Sequence, residues 1–512
     1  MYPAPVKRCE MVRVTRRRAA IEGFAWGVFA GLVLVALMYL ASALLGLRPL
    51  PQALNDPLLS IMPGFVFGFL IDTLQHAGKV VEEIGLAIAM VGALGVLGAA
   101  WSVTALRWRF GQSALIFAAF GWLVVVIVLL PLAGVGFLGL SDGLTTPLVW
   151  AVLFAVYGVL LQLGGRPSGS PAAADPARRR LLSALPLGLG AASLGLVGLL
   201  RVPNWYQAIA LPPESGITGP SPEITPVRNF YVVSKNFSDP VVDGQRWKLS
   251  LGGLVDHPQK LSLSDLRALP SVTQYVTLEC ISNDVGGDLI STGSFTGVRM
   301  SDLIAMASPR SSGTWAAFEA TDGYSESLPM SLISSERSIL VAYDLDGAAL
   351  PTSHGYPARV LVPGHYGMKG PKWLTAINLV DHESGGYWEQ QGWDHNALVK
   401  TTARFDMPHE GDIVKLGAIN LAGVAFAGTR GISKVEYSTD RGSSWTEATL
   451  STPLSELTWV LWKATWSPAA EGSYTLLVRA TDGTGAVQGS GSAASYPGGA
   501  AGYHRIRVDV AK

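Results

Sequence analysis

Cysteine is almost absent from this chain. Its 512 residues include only two cysteines, Cys9 and Cys280, which lie on either side of a long apolar region. Two such separated residues exclude a disulfide framework, an iron–sulfur cluster held by thiolates and a cysteine-rich zinc site. Neither begins the Cys-x-x-Cys-His run of a c-type haem. Cys280 is therefore an unpaired thiol, either buried and inert or kept as a nucleophile or metal ligand.

Charge and histidine are also scarce. Only 15% of the residues are charged, and 38 basic residues balance 38 acidic ones, so nothing indicates a polyanionic partner such as nucleic acid. The mean hydropathy of +0.32 is high, and the apolar excess lies before residue 201. The only histidine in that part is His76, which argues against a haem with two histidine ligands there.

Five apolar runs are long enough to cross a bilayer, which needs about 20 residues per helix. A sixth run, Ile61–Leu74, is too short and contains Pro63, so residues 61–75 are predicted to be re-entrant or interfacial. Its Asp72 is interpreted as an interfacial carboxylate rather than as part of an ion path. The five predicted spans are Ile21–Leu47, Val80–Leu106, Ser113–Leu140, Pro147–Leu163 and Leu181–Leu200.

Most arginines of this half lie on one side of the spans if the spans alternate in direction. This asymmetry predicts a cytoplasmic N-terminus and an extracytoplasmic position for everything after Leu200, in a bacterial cytoplasmic membrane. The run Arg178–Arg180 before a Gly- and Ala-rich stretch also resembles a twin-arginine export signal, and both interpretations stay open. The arginines on the predicted cytoplasmic side are Arg13, Arg16, Arg17, Arg18, Arg107, Arg109, Arg166, Arg178, Arg179 and Arg180.

The sequence predicts a multi-domain fold. Residues 1–201 are expected to form a five-span α-helical membrane domain, followed by a linker rich in Pro, Gly and Ser over 202–225. Residues 226–408 mix short β-type runs with helical pieces, which is typical of an α+β domain. Over 409–512 several strand-like runs and a turn at Asp440-Arg441-Gly442 predict an immunoglobulin-like β-sandwich.

Cys280 stands at the end of a β-type run and before a glycine-rich loop, in Leu278-Glu279-Cys280-Ile281-Ser282-Asn283-Asp284-Val285-Gly286-Gly287-Asp288. A thiolate at a strand end, with backbone free to approach a ligand, suits a soft metal ion. A cysteine hydrolase is an alternative, and it would need a histidine base such as His354 or His365. A buried, inert thiol is a third interpretation.

A second motif extends from His354 to Trp373. An apolar strand core lies between His354 and Arg359 on one side and Lys369 and Lys372 on the other, with glycines among them. Glycine allows close backbone approach, and these donors together suit an anionic ligand such as a phosphate. Ordinary surface charge on a solvated strand is the alternative.

Three motifs in this order resemble the sulfite oxidase family of molybdopterin enzymes, and most of all its membrane-anchored bacterial branch. They are the Cys280 loop, the run Ser294–Val298, and the stretch from His354 to Trp373. The resemblance covers residues 226–512 and implies one molybdenum–molybdopterin per chain. Because residues 409–512 look like that family's dimerisation domain, it also implies a possible homodimer.

The resemblance also implies roles for individual residues. Cys280 is expected to be the metal ligand and a catalytic residue. Tyr324 matches a tyrosine near the metal, where its hydroxyl is placed to donate to an oxo group or a substrate. The residues expected to bind the pterin or its phosphate are Tyr231, Lys235, Asn236, His354, Arg359, Lys369, Gly370, Pro371 and Lys372.

Two departures from the family pattern affect the expected substrate. Asp284 and Lys235 stand where sulfite oxidases have arginines, which weakens the binding of an anion. We therefore expect two-electron oxygen-atom transfer on a small or sulfoxide-type substrate, with sulfite oxidation as the alternative. Because the chain lacks ligands for haem or an iron–sulfur cluster, electrons are expected to pass to the quinone pool or an electron-transfer protein. A non-enzymatic cell-surface binding protein with a structural Cys280 is the alternative from another class.

Overall fold

The computed structural model describes residues 6–55, 57–58, 62, 66, 78–106, 113–164, 188–203, 205, 219–236 and 239–512, with backbone only for 6–15, 141 and 142. It divides into two compact units. One unit is Met1–Met62 with His76–Leu211, and the other is Pro63–Gln75 with Pro212–Lys512.

Four helices of the first unit are long and apolar enough to cross a membrane, and they coincide with the first four predicted spans. A fifth apolar helix, α5, is shorter. Residues 181–187 of the fifth predicted span, the arginines 178–180 and Asp72 lie outside the described residues. The helices are α1 (Val6–Leu45), α2 (Gly78–Ala105), α3 (Ala114–Leu132), α4 (Thr146–Gly164) and α5 (Gly188–Pro203).

Glycines allow α1 and α2 to pack closely. A Cβ atom added to Gly27 would lie 2.6 Å from the carbonyl oxygen of Leu94, and one added to Gly98 would lie 2.8 Å from the Cα of Gly27. Both distances are shorter than any side chain tolerates, so the two backbones touch directly. Such contacts between small residues are a usual means of association between helices in membranes.

A buried carboxylate, Glu83, joins several segments of this unit. Its Oε1 accepts hydrogen bonds from Tyr39 (3.1 Å) and Gln52 (3.0 Å). Its Oε2 accepts from Arg201 (2.7 Å) and from the indole of Trp205 (2.9 Å). The start of α2 is thus tied to α1, to the segment after α1 and to the end of α5, a cluster that sequence analysis did not identify.

The second unit begins with an α+β part built on two sheets. The first sheet has the strand order β2-β1-β10-β5-β6, in which β1 and β10 are parallel and the other pairs antiparallel. The second has the order β3-β4-β7-β8, and β9 also pairs with β7. The strands are β1 (Lys248–Gly253), β2 (Gln259–Ser262), β3 (Val272–Glu279), β4 (Ile290–Arg299), β5 (Trp315–Ala320), β6 (Ser325–Pro329), β7 (Leu340–Leu345), β8 (Ala348–Ala349), β9 (Arg359–Leu361) and β10 (Leu374–Val380).

Three short helices and two apolar clusters complete this part. Leu249 and Phe318 of the first sheet share a buried core with Val341 and Val360 of the second. A separate cluster, which includes Cys280, packs around the second sheet. The helices are α6 (Leu263–Ala268), α7 (Met300–Ala305) and α8 (Met330–Ser335).

The C-terminal part is a sandwich of two sheets, with orders β11-β13-β17-β16 and β12-β19-β18-β14-β15. Phe405 and Trp462 of one sheet share a buried core with Val435 and Leu476 of the other. The predicted turn follows β14, where Arg441 and Gly442 have φ angles of 64° and 89°. The strands are β11 (Thr402–Met407), β12 (Ile413–Lys415), β13 (Ile419–Phe426), β14 (Ile432–Ser438), β15 (Thr446–Glu447), β16 (Thr449–Leu450), β17 (Val460–Trp466), β18 (Gly472–Asp482) and β19 (His504–Ala511).

Candidate functional site

Cys280 follows β3 directly and is 9% exposed. Its backbone N–H donates to Leu289 (2.9 Å), and its carbonyl accepts from Asn283 (3.0 Å), so the ends of the loop are held together. The Sγ lies 3.1 Å from the hydroxyl of Ser282. Burial raises the pKa of the Cys280 thiol, although the Ser282 contact opposes the change. A thiolate here therefore requires a positive partner, which a metal ion supplies.

Three buried tyrosines interact electrostatically with this thiol. Burial, with a contribution from Cys280, raises the pKa of Tyr231, Tyr324 and Tyr366, so all three hydroxyls keep their protons. The Tyr324 hydroxyl donates to the carbonyl of Met368 (2.6 Å). Tyr231 and Tyr324 were predicted at the site, whereas Tyr366 was not. The thiol thus lies among neutral hydrogen-bonding groups.

Glu279 is a buried acid next to the thiol that sequence analysis did not assign. The Asn283 amide donates to its Oε1 (2.9 Å), while its Oε2 accepts no hydrogen bond from the described residues. Burial raises the pKa of Glu279 to about 7, although Asn283 and Arg404 oppose the change. The sequence did carry a signal for Glu279, which is an acid inside the apolar end of a strand. Charged side chains are rarely buried without a function or a partner.

Arg359 is a buried cation that has no counter-ion among the described residues. It is 6% exposed, and its guanidinium donates only long bonds of 3.4 Å to the carbonyls of His354 and Gly370. Its Nε has no hydrogen-bond partner among the described residues. Burial lowers the pKa of Arg359 to about 10, so the group remains charged at neutral pH. Such a cation is costly unless an anion completes the site.

His354 lies beside this cation as a neutral ring. It is 4% exposed and meets the ring of Phe230 edge to face, with centroids 5.2 Å apart. Burial and the charges of Arg359 and Lys372 lower the pKa of His354 to about 3. The neutral ring has a single N–H, which its backbone hydrogen bond with Val227 already uses, so it offers the other nitrogen to a ligand as an acceptor.

Lys372 connects two of the predicted motifs. Its Nζ donates to the carbonyls of Val233 (3.1 Å) and Ser353 (2.9 Å) and lies 4.5 Å from the ring centre of Trp373. The preceding Pro371 accepts a hydrogen bond from the backbone of Val360 (2.9 Å), which fixes the strand that carries Arg359. The segment around residues 230–236 and the His354 motif are therefore brought together, as the resemblance implies.

Lys235 and Asn236 lie on the Tyr324 side of the site. The Nζ of Lys235, a residue only 6% exposed, is 4.9 Å from the ring centre of Tyr387, which in turn is 5.7 Å from that of Tyr324. The amide of Asn236 donates to Asp322 (2.9 Å). These two residues therefore border the tyrosine expected near the reacting atoms.

Lys369 has surroundings unlike those of Arg359. Its Nζ donates to Oε1 of Glu326 (2.9 Å) and to Oε1 of Glu389, and all three side chains are at most 5% exposed. Burial alone would lower the pKa of Lys369, but Glu326 and Glu389 raise it above its usual value. Sequence analysis missed both acids, because Glu326 lies in β6 and Glu389 after β10. A phosphate has to compete with both of them for Lys369.

The sandwich contributes a residue to the Cys280 loop. Arg404 of β11 donates to the carbonyl of Gly287, to the hydroxyl of Ser221 (3.2 Å) and to Asp406 (2.9 Å). Next to this contact, a Cβ on Gly286 would collide with the ring of His504. Arg404 comes from a part of the chain that carries no recognisable site motif, so sequence analysis did not find it.

Two family models match the second unit. The oxidoreductase molybdopterin binding domain matches residues 236–388, and the Mo-co oxidoreductase dimerisation domain matches residues 397–511. The two matches meet at the junction between the α+β part and the sandwich.

The chain is similar to two sulfite oxidases and to one solved structure. The chain is 30% identical to sulfite oxidase of Arabidopsis thaliana over 289 residues, which is 47% of this chain and 72% of the plant protein. It is 28% identical to mitochondrial sulfite oxidase of Mus musculus over 336 residues, 56% of this chain and 61% of the mouse protein. The crystal structure of the sulfane dehydrogenase SoxCD from Paracoccus pantotrophus superimposes with a TM-score of 0.48 at 22% identity. That match covers 54% of this chain and 77% of the other.

The described residues fit a molybdenum–molybdopterin cofactor. Cys280 offers a soft ligand to the metal, and the unpartnered Nε of Arg359 marks a place for an anionic group. Family matches and relatives identify this cofactor as the one that the chain uses. The chain belongs to the sulfite oxidase family of molybdopterin-dependent oxidoreductases.

Proposed function

We propose that this protein is a membrane-anchored enzyme that carries out two-electron oxygen-atom transfer at a molybdenum bound by Cys280. The observation that carries the proposal is the pairing of a buried thiol with a buried guanidinium that has no counter-ion among the described residues. Tyr231 interacts electrostatically with both Cys280 and Arg359, so the two groups belong to one site. A metal and an anionic pterin phosphate supply the two charges that this site lacks.

Each residue has a defined task in this proposal. The molybdenum, when bound, supplies the oxygen-atom transfer. Cys280 holds the metal, and neutral His354 hydrogen-bonds the pterin while Arg359 compensates its negative charge. Tyr324 keeps its proton and donates a hydrogen bond to the carbonyl of Met368, from which the hydroxyl would have to turn to donate to the reacting atoms. The other residues proposed to bind the pterin or its phosphate are Tyr231, Lys235, Asn236, Lys369, Gly370, Pro371 and Lys372.

Sulfite is a candidate substrate, because the two relatives reported above are named sulfite oxidases. A neutral sulfoxide is the second candidate. Asp284 places an acid in the loop after Cys280, and Lys235 is buried against the Tyr387 ring instead of extending toward solvent. Both features disfavour a small anion, which a pair of arginines would bind more strongly.

The arrangement of the first unit supports five spans. If α1 to α4 alternate in direction, they return the chain to the side where α1 begins. Arg201 and Trp205 at the end of α5 nevertheless bond Glu83 at the start of α2. In this proposal the chain crosses once more along α5. With the N-terminus cytoplasmic, the catalytic domain is extracytoplasmic and exchanges electrons with the quinone pool or an electron-transfer protein.

The proposed domain division follows the sequence analysis. Residues 1–201 anchor the protein, 202–225 link the two units, 226–408 bind the cofactor, and 409–512 form an immunoglobulin-like sandwich, to which β11 at the end of the cofactor-binding range also belongs. A match to a dimerisation domain over residues 397–511 supports a homodimer in which the sandwich is the contact.

Turnover tests the proposal. The full-length chain, made in a host that synthesises molybdopterin, is assayed for sulfite oxidation with a dye oxidant and for methionine sulfoxide reduction with a reduced dye. We expect turnover of one of these substrates by the wild type and by Cys9→Ser, and none by Cys280→Ser. Full activity of Cys280→Ser would contradict the role of the thiol.

A further inference from the structure

The strongest unexplained feature is a buried cluster of two carboxylates and one ammonium. Lys369 lies between Glu326 and Glu389, with side-chain exposures of 5%, 0% and 1%. The Oε2 of Glu326 accepts no hydrogen bond from the described residues. Two acids therefore share a single cation in a place where water is excluded.

This cluster borders the proposed reaction site. Tyr324 donates to the carbonyl of Met368, the residue before Lys369. Its hydroxyl interacts electrostatically with Glu326, Glu389 and Cys280. Tyr324 thus connects the cluster with the thiol, and a substrate that reaches the metal on this side meets both.

The charge of the cluster is zero or negative. Burial and the neighbouring Glu389 raise the pKa of Glu326 to about 8, although Lys369 opposes the change. Below that pH, one proton on Glu326 makes the cluster neutral, and above it the cluster carries one negative charge. Lys235 and Asp322 add one charge of each sign near Tyr324, so they leave the sum unchanged.

An anion gains little from such surroundings. The ammonium of Lys369 would attract sulfite, but Glu389 already neutralises it at hydrogen-bonding distance, and Glu326 adds a further negative charge once it ionises. An uncharged substrate with a polar oxygen does not need a free positive charge here, so it loses nothing in these surroundings. Repulsion of a wrong ligand is a common source of specificity.

We propose that Glu326 and Glu389 are specificity-determining residues, which cancel the charge of Lys369 and select uncharged sulfoxides over sulfite. This inference rests on the proposed oxygen-atom transfer at Cys280.

The test compares kcat/KM for methionine sulfoxide and for sulfite in the full-length, molybdenum-loaded protein. The wild type is expected to favour the sulfoxide at least about tenfold, the effect of one lost charge attraction. In the double variant Glu326→Gln with Glu389→Gln, Lys369 is left uncompensated, and kcat/KM for sulfite is expected to rise about tenfold. The matched control is Glu336→Gln with Glu447→Gln, which removes two exposed acids and is expected to change neither value.

A second readout does not depend on turnover. Calorimetric titration with sulfate, an unreactive anion, is expected to detect binding to the double variant and none to the wild type. Equal sulfate binding by both proteins would overturn the inference. A wild type that prefers sulfite would also overturn the inference. This comparison does not require the double variant to fold.

Failure of the proposed function and failure of the charge selection give different experimental results. A wild type that lacks molybdenum and turns over neither substrate overturns the proposed function, and this inference with it. A molybdenum-loaded wild type that prefers sulfite leaves the proposed function standing and overturns only the charge selection.

Discussion

At the scale of single residues, the cofactor site depends most on Arg359. A buried guanidinium whose Nε has no described partner is stable only when an anion neutralises it. Arg359→Met is therefore expected to reduce molybdopterin occupancy, because removing one partner of a buried charge pair costs about 3 kcal/mol. Elemental molybdenum per chain measures the loss. Arg246→Met, at a highly exposed arginine, is the control, and equal occupancy in both variants would contradict the assignment.

Glu326 gives a prediction about pH. Its folded pKa of about 8 lies above the unfolded value of 4.5, so the folded state binds the extra proton between these limits. The contribution of Glu326 to stability is therefore present at low pH and is lost as the pH rises toward 8.

The variant Glu326→Gln cannot titrate and escapes this loss. Relative to the wild type, it is expected to gain about 4 kcal/mol of stability between pH 5 and pH 9. Thermal unfolding of the cofactor-free protein over this range measures the difference. A gain of the same size in Glu336→Gln, or a difference independent of pH, would rule out the raised pKa.

At the scale of elements, the sandwich fixes the loop that follows β3. Arg404 bonds the carbonyl of Gly287 and pairs with Asp406, which is 1% exposed. Arg404→Met leaves that acid buried without its partner, at a cost of about 3 kcal/mol, and releases the loop.

Hydrogen exchange measures this release. The amides of Asn283 and Leu289, which close the loop, are expected to exchange faster in Arg404→Met than in the wild type. Arg505→Met, on the exposed face of β19, is expected to leave them unchanged. Unaltered exchange in Arg404→Met would show that the loop holds its shape without the sandwich.

The contact between α2 and α5 gives a second prediction at the scale of elements. Glu83→Gln keeps the shape of the side chain but removes the charge that pairs with Arg201. We expect a loss of about 3 kcal/mol, because the guanidinium of Arg201 is mostly buried. Thermal unfolding in detergent measures it, with the exposed Glu22→Gln as control. An unchanged stability of Glu83→Gln would show that the contact between Glu83 and Arg201 does not hold α5 to α2.

Local sequence motifs predicted the parts of the site that are close together in the chain. Cys280 with its loop, and His354 with Arg359 and Lys372, could be assigned because each group spans a short stretch. Long apolar runs likewise predicted α1 to α4, since composition alone determines which helices suit a bilayer.

Residues that reach the site from distant elements were not predictable. Glu389 and Arg404 come from segments whose own sequence carries no chemical pattern, and only folding brings them near the site. Tyr366 lies within the His354 motif and Glu326 lies two residues after Tyr324, but neither carries a local signal of its role. The surroundings of Lys369 illustrate the limit. Its motif indicated an anion ligand, while its pairing with two acids depends on contacts across 43 and 20 residues of chain.

At the scale of the whole molecule, membership of a molybdopterin enzyme family replaces the binding-protein and hydrolase alternatives. The membrane unit then has a physical purpose in the proposal, since it keeps an exported oxidoreductase beside lipid-soluble or membrane-bound electron partners. The dimerisation match adds a second constraint, because the Arg404 contact makes the sandwich part of the site as well as the proposed contact between subunits.

The most direct test of the central claim is X-ray absorption at the molybdenum edge of the wild type, Cys280→Ser and Cys9→Ser. We predict a molybdenum signal in the wild type, one sulfur ligand fewer in Cys280→Ser, and no change in Cys9→Ser. A wild type without molybdenum, or an unchanged sulfur shell in Cys280→Ser, would contradict the account.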